Sequence, residues 1–153
     1  MSVNRDFIGR TYEFSTPYHV GREKVREFAT AIGDNNPMYH DLRQAREMGH
    51  RDLVAPPTFP FIITYQAMVG VMGDPGLNLN YMMVVHGEQS FAYTRPLYAN
   101  DAVVVSSTIA NISTARSNEL ITMEQQVKTT DGELIVTTTN VTVSRGSAPT
   151  QEG

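Results

Sequence analysis

The stretch from Thr58 to Met72 limits the possible folds of this chain more than any other. Phe61, Ile62, Ile63, Ala67, Met68, Val69, Val71 and Met72 put apolar groups round nearly the whole circumference of a helix. A helix that is apolar all round is buried on all sides. Thr58 is a suitable N-cap, and Pro60 is tolerated in the first turn, where its missing N–H is not needed. Thr64 and Gln66 interrupt the run, and it falls short of the roughly 20 apolar residues that cross a bilayer. The expectation is a central core helix with the rest of the chain wrapped round it.

The wrapping material follows the Gly73-Asp74-Pro75-Gly76 loop. Four runs rich in Val, Ile, Thr and Tyr occupy roughly 82–94, 102–113, 118–130 and 133–145. Asp131-Gly132 between the last two is a strong hairpin signal. In the final run Ile135, Val141 and Val143 share a face, with Thr137 and Thr139 between them. Strands near a dozen residues exceed the usual five or six, as they must to curl round a helix. Ahead of the core helix, Val25, Phe28, Ala29 and Ile32 recur at helical spacing over 22–32, and Gly33 ends that helix. A short helix over 42–48 has Asp41 as its cap, Gln44 in capping-box position and Gly49 as its stop. The fold class is therefore α+β: one domain over residues 1–145, then a polar tail over 146–153 whose composition suits disorder.

Composition removes several classes of function. There is no cysteine, so neither a disulfide scaffold nor a thiolate site is available, and the four histidines show no paired ligand spacing for a metal. A net charge of −4 argues against nucleic-acid binding, although Arg43, Arg46 and Arg51 can form a local basic patch. No apolar leader follows Met1, so the expected compartment is the cytoplasm, away from a membrane. Met68, Met72, Met82 and Met83 read as adaptable core filler that also suits a channel for a long chain.

The chemistry is concentrated in Gly33-Asp34-Asn35-Asn36-Pro37-Met38-Tyr39-His40-Asp41. A carboxylate and an imidazole in one short loop after a helix can together activate water. The same residues also have a purely structural reading. Asp34 can satisfy local amides as an Asx turn, Asn36-Pro37 can be a turn, and His40 can be solvated. His86 reads as a packed strand residue, and Tyr65 and Gln66 as helix residues able to face a tunnel.

With these residues in view, the chain resembles the MaoC-like family of (R)-specific enoyl-thioester hydratases and 3-hydroxyacyl-thioester dehydratases. The likeness rests on Gly33–Pro37 with its following histidine, and on the segment from His86 to Leu97 that ends at Asn100-Asp101. It spans about Phe7 to Val143. Ala55-Pro56-Pro57-Thr58-Phe59 is most similar to an actinobacterial subgroup that supplies the acyl-chain-binding subunit of (3R)-hydroxyacyl-ACP dehydratase. The resemblance implies a single hotdog fold, a long antiparallel sheet wrapped around a central buried helix. It also implies an acyl-CoA or acyl-ACP thioester as substrate, no metal or redox cofactor, and a homodimer or a heterodimer with a MaoC-like subunit.

By the same resemblance, Asp34 and His40 hold a water against the double bond of a trans-2-enoyl thioester. Asn36, Tyr39, Thr58 and Phe59 flank the substrate, and the Thr58 or Phe59 amide stabilises the thioester oxygen. The chain departs from the family pattern Asp-x-Asn-Pro-x-His in two respects. Tyr39 falls on the histidine position, with His40 one place late, and Pro56 and Pro57 supply no N–H at the helix start. These departures favour a subunit that binds the acyl chain beside a catalytic partner. A self-sufficient hydratase using Asp34 and His40 is the alternative, and a hotdog acyl thioesterase or acyl-thioester binding module is a third reading.

Overall fold

The computed structural model describes residues 2–150. Five antiparallel strands form one sheet in the order β1-β3-β4-β5-β2. They are β1 (Thr11–His19), β2 (Val84–Tyr93), β3 (Ala102–Ala115), β4 (Asn118–Thr129) and β5 (Leu134–Ser144). The helices are α1 (Arg22–Ala31), α2 (Leu42–Glu47) and α3 (Pro60–Met72), with α3 against the concave face of the sheet. The Asp131-Gly132 turn closes the β4–β5 hairpin, with Gly132 at φ +93° and its N–H bonded to Thr129 O at 2.9 Å.

β1 is the one strand with no counterpart among the expected runs. Pro17 interrupts its pattern, and its pairing with β3 slips between Phe14 and Tyr18, which lie opposite Val105 and Val103. Two strands have one partner each among the described residues: β1 pairs with β3 and β2 with β5.

Because the sheet wraps only part of α3, burial of that helix is one-sided. Ile63, Thr64, Ala67, Met68, Val71 and Met72 are buried, whereas Tyr65, Gln66 and Gly70 are exposed and Phe61, Ile62 and Val69 are half-buried. The expected burial on all sides is corrected to this extent. Met82 and Met83 are also corrected, being 82% and 39% exposed beside the β2 edge. Phe59, rather than Thr58, occupies the N-cap position of α3.

The inner face of β5 is polar. A register shift opposite Val127 and Lys128 leaves both Ile135 and Val136 buried, after which Thr138, Asn140, Thr142 and Ser144 point inward. Val141 and Val143 therefore lie on the outer face, half-buried. The inward amides are paired. Gln125 Nε2 donates to Thr64 O at 3.1 Å, and Asn140 Nδ2 donates to Gln125 Oε1 at 3.1 Å, which ties α3 to the middle of the sheet. Two apolar clusters lie along α3, one round Phe59 and Ile63 and the other round Met68 and Val71, and Phe14 packs against both.

The N-terminal segment is anchored at the second cluster, where Val3 N–H donates to the buried Glu119 carboxylate at 2.7 Å. At the other end, the tail is held at least to Ala148. Gly146 N–H bonds Asn118 Oδ1 and Ala148 N–H bonds Ser117 O. The expected disorder thus does not begin at Gly146, and residues 151–153 lie outside the described residues.

Candidate functional site

The loop after α1 is built from successive small caps. Gly33 takes φ +73°, a left-handed conformation open to glycine, and the Asp34 amide turns back to Ala29 O at 2.9 Å. Asp34 Oδ1 then accepts the Asn36 amide at 3.0 Å, and Asn36 Oδ1 accepts the Met38 amide at 3.2 Å. Asp41 Oδ1 accepts the Gln44 amide at 3.1 Å and so starts α2. Each is an Asx-type bond that replaces a missing backbone partner.

Asp34 and His40 do meet, through the main chain. His40 Nε2 lies 2.8 Å from the carbonyl oxygen of Asp34. A carbonyl only accepts, so Nε2 is the donor in this bond. The carboxylate of Asp34 gives one oxygen to the Asn36 amide. The loop is held further by Arg26 Nε, which donates to His40 O at 2.9 Å.

Tyr39 turns inward, only 4% exposed. With Met38 it lines a cavity of about 300 Å³ whose other walls include Val54, Ala55, Pro57 and Tyr93. Burial, and secondarily the Asp34 carboxylate, raise the Tyr39 phenol above its ordinary value, so it stays a neutral hydroxyl at physiological pH. Tyr93 is raised chiefly by burial, and its hydroxyl donates to Pro57 O at 2.7 Å.

At the start of α3, the two candidate amides separate. Phe59 N–H is used within its own turn, bonding Pro56 O at 2.8 Å. Its ring is fully buried, edge-on to Phe28 at 5.4 Å. Phe59 therefore does not offer the expected donor. Thr58 is exposed, and its N–H donates to no other described residue. It opens on a second cavity of about 390 Å³, lined also by Phe28, Phe61, His86, Gln89 and Phe91.

His86, expected to be packed, is instead exposed. Its ring stacks on Phe61 at 5.2 Å, and its Nε2 lies 3.2 Å from Gln89 Oε1. The available sequence signal was Gly87. It sits at a slip in the β2–β5 pairing, where an added Cβ would come within 3.1 Å of Val141 O.

Two ion clasps hold the loops behind the site. Asp52 accepts two bonds from Arg22, at 3.0 and 2.9 Å, and one from Asn100 at 2.8 Å. Asp101 is clasped by Arg51 and Arg95 and accepts the Tyr98 amide at 2.8 Å. Arg51 is thus paired with Asp101, and Arg43 with Glu47 at 3.0 Å, which neutralises most of the expected basic patch. Among the described residues, no cluster of three or more His, Asp or Glu is placed to hold a metal, and no helix is long and apolar enough to cross a membrane.

A third cavity, of about 550 Å³, lies on the other side of α3, beneath the slipped part of β1. Of the sequence candidates, the structure therefore gathers Asp34, Asn36, Tyr39 and His40 into one loop. Thr58 stands separately at the helix start.

The family described as "FAS1-like, dehydratase domain region" matches residues 6–138. A UPF0336 protein of Thermobifida fusca is 47% identical over 149 residues, covering 97% of this chain and 98% of its own. A solved MaoC-like dehydratase superposes with a TM-score of 0.85 at 28% identity, over 92% of this chain and 43% of that one. The truncated HadBC (3R)-hydroxyacyl-ACP dehydratase complex of Mycobacterium tuberculosis gives 0.83 at 23% identity, over 90% and 97%. The fold is that of these MaoC-like hotdog proteins.

Proposed function

Because the chain belongs to the FAS1-like dehydratase-region family, we propose that it is the acyl-chain-binding subunit of a (3R)-hydroxyacyl-thioester dehydratase or (R)-specific enoyl-thioester hydratase in fatty-acid metabolism. It works beside a catalytic partner built on the same fold. The observation that carries this reading is the wiring of the 34–40 loop. The imidazole donates to the Asp34 carbonyl, the carboxylate accepts the Asn36 amide, and the place of a catalytic histidine is filled by a buried phenol. A phenol with a raised pKa is a poor base near neutrality.

Two further features support a partner. The β2 edge is unpaired among the described residues, and beside it Tyr65, Tyr81, Met82 and Val85 leave apolar surface exposed. An open edge next to apolar surface suits a second sheet adding its own strand. A carrier-bound or coenzyme A thioester then places its acyl chain along α3.

The alternative, a self-sufficient hydratase, draws on the same loop. Asp34 and His40 are brought within one hydrogen bond of each other, and His40 Nδ1 has no partner among the described residues. Co-expression separates the two readings. The test pairs this chain with a MaoC-like subunit of the same genome whose loop reads Asp-x-Asn-Pro-x-His. The expected result is hydration of long-chain trans-2-enoyl thioesters by the pair. Full activity in the partner without this chain would reject the subunit role.

A further inference from the structure

We propose that Phe14, seated on Gly70 of α3, is the floor of an acyl compartment between β1 and α3 and sets the longest acyl chain the protein accepts. The inference rests on the acyl-binding reading above and adds the residue pair that limits it.

The compartment exists because β1 leaves the sheet. Phe14 lies opposite Val105 and Tyr18 opposite Val103, so Ser15, Thr16 and Pro17 together span the single position of Val104. The surplus lifts this segment away from α3, and Pro17 has no N–H to return to the ladder. The resulting cavity of about 550 Å³ has an apolar side, where Val103, Val105, Ile63 and Ala67 are buried and Tyr18 is half-buried, and a polar side, where Ser15 and Thr16 are exposed. Its rim is polar, with Glu13 and Gln66 exposed. A hollow with one buried apolar side and a polar rim fits an amphiphile that lays its tail along the apolar side and leaves its head in water.

The floor follows from helix geometry. Ile63, Gln66, Ala67 and Gly70 lie at positions i, i+3, i+4 and i+7, one stripe along α3. The first three line the cavity. At the fourth the stripe is stopped, since a Cβ built on Gly70 would lie 2.7 Å from Phe14 Cε1 and 3.1 Å from Cζ. The ring thus rests on bare backbone, and any side chain at this position would displace it. Phe14 also touches both apolar clusters, so it divides the cavity from the second cluster, where Met72, Val69 and Tyr12 lie. Unbranched methionine adapts readily to an entering chain. Removing the ring therefore opens the stripe downward, whereas a methyl on Gly70 drives the ring up into the compartment.

These two changes have opposite expected effects, which makes the test. Saturated acyl-coenzyme A thioesters of increasing length are titrated calorimetrically into the full chain and into Phe14→Ala and Gly70→Ala. Far-ultraviolet circular dichroism and a thermal melt establish that each variant is folded, and Phe14→Leu replaces Phe14→Ala if the latter is not. For the wild type, affinity is expected to rise about fourfold per methylene, the equivalent of about 0.8 kcal/mol, up to a cut-off length. Phe14→Ala or Phe14→Leu moves the cut-off to longer chains and Gly70→Ala to shorter ones. A cut-off that stays put in the folded variants, or moves the same way in both, overturns the assignment of Phe14 while leaving acyl binding intact. Absence of wild-type binding at every length rejects the acyl-binding reading itself, and the floor with it.

Discussion

Gln125 and Asn140 form the link whose removal is most informative about how α3 is held. Both are about 1% exposed, and between them they make two hydrogen bonds of 3.1 Å that run from Thr64 O through Gln125 to Asn140. Gln125→Met keeps shape but strands the Asn140 amide, and an unpaired buried donor costs about 1–3 kcal/mol. Asn140→Val strands Gln125 Oε1 in the same way, at about the same cost. The double variant strands neither group of the pair, because both are then apolar. Its loss is therefore expected near about 2 kcal/mol rather than the roughly 4 kcal/mol of the summed singles, a coupling of at least about 1 kcal/mol. Urea unfolding at one fixed protomer concentration measures it, provided the dependence on denaturant is unchanged across the four proteins. Additivity within about 0.5 kcal/mol would refute the argument that this bridge is a paired unit.

Two other changes follow from single side chains. Asp52 is held below the usual carboxylate range, first by its bonds from Arg22, which outweigh the opposing effect of burial, and then by the Leu53 amide and Asn100. Its folded pKa lies below its unfolded one, so its stabilisation is present above about pH 3.9 and lost as pH falls through the folded value. Thermal melts against pH should therefore show Asp52→Asn less stable at neutrality and flatter in acid; an identical acid profile would contradict this. Thr138 Oγ1 is buried without a partner among the described residues, so Thr138→Val should gain about 1 kcal/mol. That corresponds to roughly 2–4 °C in Tm for a chain of this size, and a loss would place a bond on that hydroxyl.

Most of the frame was legible because it depends on local patterns. Helical spacing placed α1 to within a residue, Asp41 caps α2 as its position implied, and Asp131-Gly132 turned the last hairpin. β1 was not legible, since the Pro17 interruption hides an alternation in which Tyr12 and Phe14 reach the core directly and Tyr18 only after a slip in register. The one-sided burial of α3 escaped for a different reason. Apolarity round a helix does not say which of its sides the sheet will cover. The polar inner face of β5 was hidden because one bulged residue exchanges the two faces of a strand.

Legibility of the site was uneven in a similar way. The sequence put Asp34 and His40 in one loop, and they are in contact. It could not say which atom of Asp34 the ring would choose, because that depends on how the Asx turns fold the main chain between them. Nor could it separate Thr58 from Phe59, whose amides differ only in that Phe59 closes a turn onto Pro56.

The most direct test of the account uses this chain by itself. Purified protein and its Asp34→Asn variant are assayed for hydration of a trans-2-enoyl thioester, followed by loss of the conjugated double bond. With the imidazole donating to the Asp34 carbonyl and a phenol in the catalytic place, the account predicts no turnover above background for either protein, with acyl thioester binding retained by both. Efficient hydration by the wild type that disappears in Asp34→Asn would contradict it and make this loop an active site in its own right.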